Sequence, residues 1–205
     1  MAAGETILLD DGELETQAAS RGVDLSERIA VLAVGSNAGP ARLVDKCGLN
    51  TVIPAALVRL TGTAIVFSAH ISRYGSIPTT RLERPASTAR LHVLFLDGQQ
   101  VEQIDDTEGS YDRVEIDRGI VDLGVPVYEY ASWRGFLISD SDAIRAAEIP
   151  GRSDLSAMTQ IEALDYVART TMLAPNGQKL SDGVARGVID ADQVNELLAA
   201  GALRA

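Results

Sequence analysis

The sequence predicts an α+β protein, and three observations support this. Several apolar runs have the length and pattern of strands, helical segments lie between and after them, and the two do not alternate in regular βαβ units. The 205 residues, of which 46% are hydrophobic, are enough to form a buried core. We therefore expect a globular chain in which strands and helices share a core.

Three strands are predicted most clearly. Residues 29–34 form a continuous apolar run that small, turn-forming residues follow at once, as after a buried strand. Residues 64–72 alternate between apolar and polar side chains, which predicts a strand with one solvent-exposed face and places His70 on it. Residues 91–96 are apolar on both faces, so we expect this strand to be central.

Helices and further strands follow. Residues 99–107 predict about two helical turns, with Glu108 at the end of the helix. Strands are predicted at residues 111–116 and 125–130, and a helix from an N-cap at residues 153–154. That helix has apolar residues at spacing three, and a short amphipathic helix is expected around Val194, Leu197 and Leu198.

The domain organisation is predicted as one domain at residues 28–173 with an extension at each end. An acidic N-terminal arm at residues 1–27 contains a short apolar run, 7–9, that suggests a strand, and a helix-like segment, 13–19. The C-terminal tail, residues 174–205, carries the short helix. We expect the tail to pack on the domain or on a second subunit, which would make a homodimer.

Charge and composition exclude several classes of partner. The net charge of −11 argues against nucleic acid and anionic membranes, because both need a basic surface. Cys47 is the only cysteine, which excludes an internal disulfide and a thiolate metal site. The N-terminus lacks the features of a signal peptide, and no apolar stretch approaches the ~18 residues of a membrane span. We expect a cytoplasmic protein.

Glu108 is the candidate for acid-base chemistry. A helix over residues 99–107 would place Val101, Ile104 and Glu108 on one face, so the carboxylate would point where the apolar residues point. An unpaired inward-facing carboxylate is costly and is a candidate general base, especially with Asp105 and Asp106 within one turn. The alternative is a solvated residue at the helix end.

The loop after the first strand is the second candidate. Its residues, Gly35-Ser36-Asn37-Ala38-Gly39, are small and could turn backbone N–H groups toward a ligand oxygen. The alternative is a plain turn that ends a strand. The loop lacks the lysine of a phosphate-binding P-loop and the spacing of a dinucleotide fingerprint.

Three weaker hypotheses remain open. Ser36 could act as a nucleophile with His70 or His92, although no Gly-x-Ser-x-Gly elbow is present. Adjacent acids at residues 105–108 make a poor ligand set for a divalent ion, so no metal site is expected. A loop over residues 73–85 contains Arg73, Arg81 and Arg84 and could meet an anionic group.

Taken together, two motifs carry a family resemblance. A strand that ends in Gly35-Ser36-Asn37, followed further along by Asp105-Asp106-Thr107-Glu108-Gly109 and Tyr111, resembles the γ-glutamylcyclotransferase family. That family has a Tyr-Gly-Ser-Asn loop and a catalytic glutamate in an Asp-x-x-Glu-Gly segment. The resemblance covers residues 29–130.

The resemblance implies a fold, an activity and a site. The fold is a small mixed β-barrel with flanking helices. Glu108 would be the general acid and base that converts a small γ-glutamyl amine or amino acid to 5-oxoproline and a free amine, without cofactor or metal. The substrate-binding positions implied are Val34, Gly35, Ser36, Asn37, Ala38 and Gly39.

Val34 keeps a second function open. It stands where the family usually has tyrosine, so the hydroxyl and ring that would line the pocket are missing. The alternative is therefore a non-catalytic small-molecule binding module that keeps the fold and the pocket.

Overall fold

The computed structural model describes residues 13–48 and 51–201, so the expected strand at residues 7–9 lies outside the described residues. The helices are α1 (Leu14–Ser20), α2 (Pro40–Cys47), α3 (Gly98–Asp105), α4 (Gln160–Thr171), α5 (Gly177–Ala185) and α6 (Ala191–Gly201). The strands are β1 (Ile29–Ala33), β2 (Ala55–Phe67), β3 (Thr79–Leu96), β4 (Tyr111–Glu115), β5 (Val127–Ser132), β6 (Ile138–Ser139), β7 (Asp142–Ala143), β8 (Arg145–Ala146), β9 (Gly151–Arg152) and β10 (Ala157–Met158).

The chain packs as two compact units. The first comprises the described residues of Met1–Leu60 together with Arg90–Ala131, and the second comprises Thr61–Ala89 and the described residues of Ser132–Ala205. The long strands β2 and β3 each contribute residues to both units.

In the first unit, β1 lies between β3 and β5. It pairs antiparallel with β3, from Ile29 opposite Leu96 to Ala33 opposite His92. It pairs parallel with β5 through Ala30 opposite Val127, and β4 lies outside β5. This mixed sheet brings the ends of β1 and β5 into one layer.

The core of the first unit forms where α3 covers this sheet. The buried residues that pack together there come from β1, β3, α3 and β5; they are Val31, Ala33, Leu94, Leu96, Val101, Ile104 and Tyr130. Val31 and Ala33 are two residues apart and so share one face of their strand. Leu43 and Cys47 of α2 pack against the same cluster, which holds α2 beside α3.

In the second unit, short strands surround the remainder of β2 and β3. The order is β10-β8-β2-β3, with Val66 of β2 opposite Arg145 of β8, and β9 pairs with β3 through Ala89 opposite Gly151. β6 and β7 form a separate hairpin. In the first unit the order is β3-β1-β5-β4.

The α+β class is confirmed, but the barrel is not. Among the described strands, no hydrogen-bonded pairing joins the two ends of the order β10-β8-β2-β3, or the two ends of the order β3-β1-β5-β4. Each order is therefore open at its ends. The described strands therefore do not form the closed barrel that the resemblance implied.

The helices of the second unit share one core. Buried residues of α4, α5 and α6, including Val167, Leu180 and Val194, pack together with Phe67 of β2. The predicted C-terminal tail thus contains two helices, and both bury residues against α4. None of the helices within residues 13–48 and 51–201 is long and apolar enough to cross a membrane.

The predicted start of the helix after residue 153 is wrong. α4 begins at Gln160, and its N-cap is Thr159, whose side chain accepts from the Glu162 N–H while Glu162 bonds back to the Thr159 N–H. This capping box satisfies two N–H groups that a helix start leaves open. Ile161, one of the apolar residues at spacing three, is 72% exposed.

Candidate functional site

The connection from β1 to α2 is a tight turn that begins at a glycine. Val34 is extended, and Gly35 has a φ of 67°, a left-handed conformation that glycine adopts without steric cost. A short 3-10 helix follows at Gly35–Ala38, and the Gly39 N–H donates to the Ser36 carbonyl at 3.0 Å. The predicted small-residue loop is therefore a compact turn.

Asn37 links this turn to two charged side chains. The residue is buried, with 6% of its surface exposed. Its Nδ2 donates to Oε1 of Glu108 at 3.0 Å, and its Oδ1 accepts from Nζ of Lys46 at 2.7 Å. The amide therefore presents its donor to the carboxylate and its acceptor to the ammonium, as its chemistry requires.

Glu108 lies beyond the end of α3 and not within it. The helix ends at Asp105, two residues before the predicted end, and the N–H groups of Thr107 and Glu108 donate to Ile104 and Asp105 carbonyls at 2.9 and 3.1 Å. Only 13% of the Glu108 side chain is exposed. This burial argues against the solvated helix end that the sequence left open.

Lys46 is the third member of the site, and its role was not predicted. Its Nζ lies 2.9 Å from Glu108 Oε1, and 12% of its side chain is exposed. It belongs to the last turn of α2. The sequence signals that could have indicated α2 are Pro40, which suits the first helical position, and Gly48, which suits the position after a helix.

Asn37, Lys46 and Glu108 form a charge-balanced group with little exposed surface. The ammonium compensates the carboxylate, and both also bond to the same amide. A buried charge without such a partner would be strongly unfavourable. The unpaired inward-facing carboxylate expected from the sequence is thus corrected: the side chain does face inward, but it has a cation beside it.

Asp105 anchors the end of α3 to the sheet. The Tyr130 hydroxyl of β5 donates to its Oδ1 at 2.6 Å, and Arg113 donates from Nε and Nη2 at 3.2 and 3.3 Å. Burial, together with the Asp105 carboxylate, raises the pKa of the Tyr130 hydroxyl above its ordinary value. These bonds fix the position from which the chain turns toward Glu108.

The remaining predicted substrate-binding residues have local contacts. The Val34 N–H donates to the Leu32 carbonyl at 3.2 Å, and Ala38 packs against the core of the first unit. Gly35 and Ser36 start the 3-10 helix, where the first N–H groups have no intrahelical partner. The structure thus brings Asn37 of the loop to Glu108.

His70 is not on a solvent-exposed face, contrary to the prediction. It is 6% exposed, and its Nδ1 lies 2.9 Å from the hydroxyl of Ser68, which is fully buried. Burial, with a smaller contribution from the charge of Arg134, lowers the pKa of His70 to about 4. Ser68, and not Ser36, supplies the hydroxyl at this histidine. A fully buried hydroxyl does not present a nucleophile to a substrate.

The arginine-rich segment is mostly strand. Arg81 and Arg84 belong to β3, so the predicted loop ends before them. Arg84 donates to both carboxylate oxygens of Asp154 at 2.9 and 2.7 Å and to Asp142 at 3.3 Å. Its charge is therefore already compensated by the protein's own carboxylates, which argues against a site for an external anion there.

The two cavities nearest in size to a ligand site lie away from Glu108. Two cavities of about 310 and 250 Å³ lie on the second unit, and neither is lined by Glu108. In the part of the chain that the structure describes, no three His, Cys, Asp or Glu side chains are grouped so that they could hold a metal ion.

Comparison with known proteins gives matches among solved structures alone. No family model matches the chain, and no curated protein matches it. A γ-glutamyl cyclotransferase structure is similar at a TM-score of 0.43 and 13% identity, over 83% of this chain and 86% of that chain. An uncharacterized protein from Homo sapiens is similar at 0.43 and 14%, over 83% and 86%. A protein from Arabidopsis thaliana is similar at 0.41 and 16%, over 72% and 87%.

Proposed function

We propose that this chain is a γ-glutamyl cyclotransferase-like enzyme in which Glu108 is the general acid and base. The observation that carries the proposal is the 3.0 Å hydrogen bond from Asn37 Nδ2 to Glu108 Oε1. The two motifs of the family resemblance, one after β1 and one after α3, meet in this bond. The substrate class is a small γ-glutamyl amine or amino acid with a free α-ammonium group.

The reaction is a ring closure with no net change in protons. Glu108 takes a proton from the α-ammonium, and the lone pair of the freed amine attacks the γ-carbonyl carbon to form the ring C–N bond and a tetrahedral oxyanion. When the oxyanion collapses, the bond from the γ-carbon to the leaving nitrogen breaks. The α-nitrogen loses two protons and the leaving nitrogen gains two, both by way of Glu108. The products are 5-oxoproline and an ammonium compound.

The turn after β1 would hold the substrate. Because the closure is intramolecular, the site mainly has to keep the glutamyl chain in its cyclising conformation. Backbone N–H groups of Gly35 and Ser36, at the start of the 3-10 helix, would hold the glutamyl carboxylate or the oxyanion. The proposed chemistry needs no cofactor or metal.

The test is product formation. Purified protein is incubated with a panel of γ-glutamyl amines and amino acids, and 5-oxoproline is measured. Glu108→Gln, with an unchanged circular dichroism spectrum, is expected to lose the product. Asp106→Asn is the matched control, because it removes an exposed carboxylate two residues away, and it is expected to keep activity. Equal turnover by Glu108→Gln would exclude Glu108 from the mechanism.

A second candidate is a non-catalytic module that binds a small amide or carboxylate in the same site. Val34 favours it, because the tyrosine usual in the family is missing there. A ligand-induced rise in melting temperature without product, in the wild type and in Glu108→Gln alike, would select this candidate over the enzyme.

A further inference from the structure

The ammonium of Lys46 contacts both Glu108 and Asn37. Its Nζ lies 2.9 Å from Glu108 Oε1 and 2.7 Å from Asn37 Oδ1, with 12% of the side chain exposed. A primary ammonium has three N–H donors, whether it belongs to lysine or to a small molecule. In the proposed reaction the substrate α-ammonium must come within hydrogen-bonding distance of the same carboxylate. Lys46 and such a ligand thus present one chemical group to one acceptor.

We propose that Glu108 and Asn37 form an ammonium-binding subsite, that Lys46 occupies it in the ligand-free protein, and that the primary ammonium of a ligand replaces Lys46. The subsite itself follows from the contacts of Lys46. That the natural ligand is a γ-glutamyl compound rests on the proposed function.

Charge favours replacement over simultaneous binding. A second ammonium in contact with Glu108 would lie within a few ångströms of Lys46 Nζ, and like charges at that separation repel most strongly where little water screens them. One carboxylate also compensates only one of the two positive charges. A ligand ammonium therefore enters when Lys46 leaves.

The position of Lys46 in the chain allows it to leave. It lies in the last turn of α2, which ends at Cys47 and is followed by Gly48 with a φ of 89°. A lysine ammonium sits on a flexible four-carbon stem, so rotation about side-chain bonds can carry it to water. Hydration then offsets the contacts that it gives up.

The first experiment is chemical rescue of Lys46→Ala in the full chain. Alanine keeps Cβ, so the atoms removed correspond to n-propylammonium. At ten times its Kd, n-propylammonium chloride is expected to raise the melting temperature of Lys46→Ala by about 3–6 °C over sodium chloride at the same ionic strength. The neutral n-propanol has the same carbon chain and is expected to produce no such shift.

Three proteins serve as controls. The wild type and Lys179→Ala, which removes the only other lysine, are expected to show no rescue. The double variant Lys46→Ala, Glu108→Gln is expected to lose it, because the carboxylate is gone. No shift in Lys46→Ala, or an equal shift in Lys179→Ala, would overturn the proposal. If Lys46→Ala does not fold in plain buffer, the same comparison is made on its refolding yield.

The second experiment uses the wild type. Both lysines are acetylated with an N-hydroxysuccinimide ester and quantified by peptide mass spectrometry, with the exposed Lys179 as internal reference. A γ-glutamyl compound is expected to increase acetylation of Lys46 relative to Lys179, and its α-N-acetyl derivative, which lacks the ammonium, is not.

The third experiment compares affinities. The same γ-glutamyl compound is expected to bind Lys46→Ala roughly tenfold more tightly than the wild type. Weaker binding to Lys46→Ala would mean that Lys46 holds the ligand and is not replaced.

The outcomes separate this proposal from the proposed function. Rescue of Lys46→Ala by n-propylammonium, with no 5-oxoproline from the wild type, would support the ammonium-binding subsite and contradict the proposed reaction. Formation of 5-oxoproline by the wild type, without rescue of Lys46→Ala, would support the proposed reaction and contradict the subsite.

Discussion

The hydroxyl of Tyr130 donates a 2.6 Å hydrogen bond to Oδ1 of Asp105. This bond joins β5 to the last residue of α3, the point from which the chain turns toward Glu108. Tyr130 is 6% exposed, so its hydroxyl has little access to water and depends on Asp105 as an acceptor. The position of Glu108 is therefore determined by the sheet as well as by its own helix.

Tyr130→Phe is expected to destabilise the protein by about 1 kcal/mol, because the ring stays but a hydrogen bond to a charged group is lost. Urea unfolding measures the loss. Tyr128→Phe on the same strand is the control, since the Tyr128 ring that lies 5.6 Å from the Arg113 guanidinium is kept. A loss of equal size in Tyr128→Phe would contradict a specific contribution from Asp105.

His70 is expected to make stability depend on pH. Its pKa is about 4 in the folded protein and 6.5 when free, so between these values the unfolded chain binds more protons than the folded one. The contribution of His70 to the free energy of unfolding is therefore fully present well above pH 6.5 and is lost as the pH decreases toward 4. From pH 7 to pH 5 this contributes a loss of about 2 kcal/mol.

The measurement is urea unfolding at both pH values in the wild type, His70→Asn and His92→Asn. The carboxylates titrate in all three proteins. Differences between the proteins in the change of unfolding free energy from pH 7 to pH 5 therefore report on the histidines. His70→Asn is expected to lack the additional loss, and His92→Asn is expected to keep it. The same pH dependence in His70→Asn as in the wild type would show that another group is responsible.

Lys46 and Glu108 are expected to be strongly coupled in a double-mutant cycle. Removing either partner leaves the other charge uncompensated in a place with little access to water. Lys46→Met and Glu108→Gln are therefore each expected to lower the free energy of unfolding by about 2–3 kcal/mol. The double variant leaves no uncompensated charge and is expected to show a coupling energy of about 1–3 kcal/mol.

Arg42 and Asp45 supply the matched control on the same helix. This pair is 3.5 Å apart, with side chains 39% and 64% exposed, so water screens it and its coupling is expected to be close to zero. Additive effects of Lys46→Met and Glu108→Gln would contradict the buried ion pair.

Ser141→Gly is expected to stabilise the protein. Ser139 pairs with Asp142, so Asp140 and Ser141 form a two-residue hairpin turn, and both have positive φ, 51° and 69°. Glycine adopts this conformation without the Cβ strain that serine incurs, which is worth roughly 1 kcal/mol or 2–4 °C in melting temperature. Ser139→Gly in the neighbouring strand is expected to lower the melting temperature. An unchanged or lower value for Ser141→Gly would count against this strain.

In the first unit, β1 and the C-terminal part of β3 could be predicted from local pattern. Residues 29–34 were expected as a strand and β1 is Ile29–Ala33, while residues 91–96 lie in β3, which has strands on both sides. A strand buried on both faces requires a continuous apolar run, and such a run can be recognised without knowing its neighbours. The strand predicted at residues 64–72 was placed too late, since β2 is Ala55–Phe67.

The polar residues were harder to predict. His70 lies at a position that the alternating pattern assigns to the solvent-exposed face of a strand. Packing in the second unit nevertheless buries it. Lys46 carries no local sign of burial, because its partners lie in other segments of the chain. Periodicity describes one element at a time, whereas burial depends on which elements cover it.

The sequence by itself determined the α+β class, the acidic character of the chain and the two motifs around Asn37 and Glu108. These properties depend on composition and on short spacings, which are present in the chain before it folds. Only the tertiary structure decided that Asn37 and Glu108 share a hydrogen bond and that the Lys46 ammonium contacts both of them. The reason is physical: a charged side chain is stable in a buried position only when folding brings a partner to it.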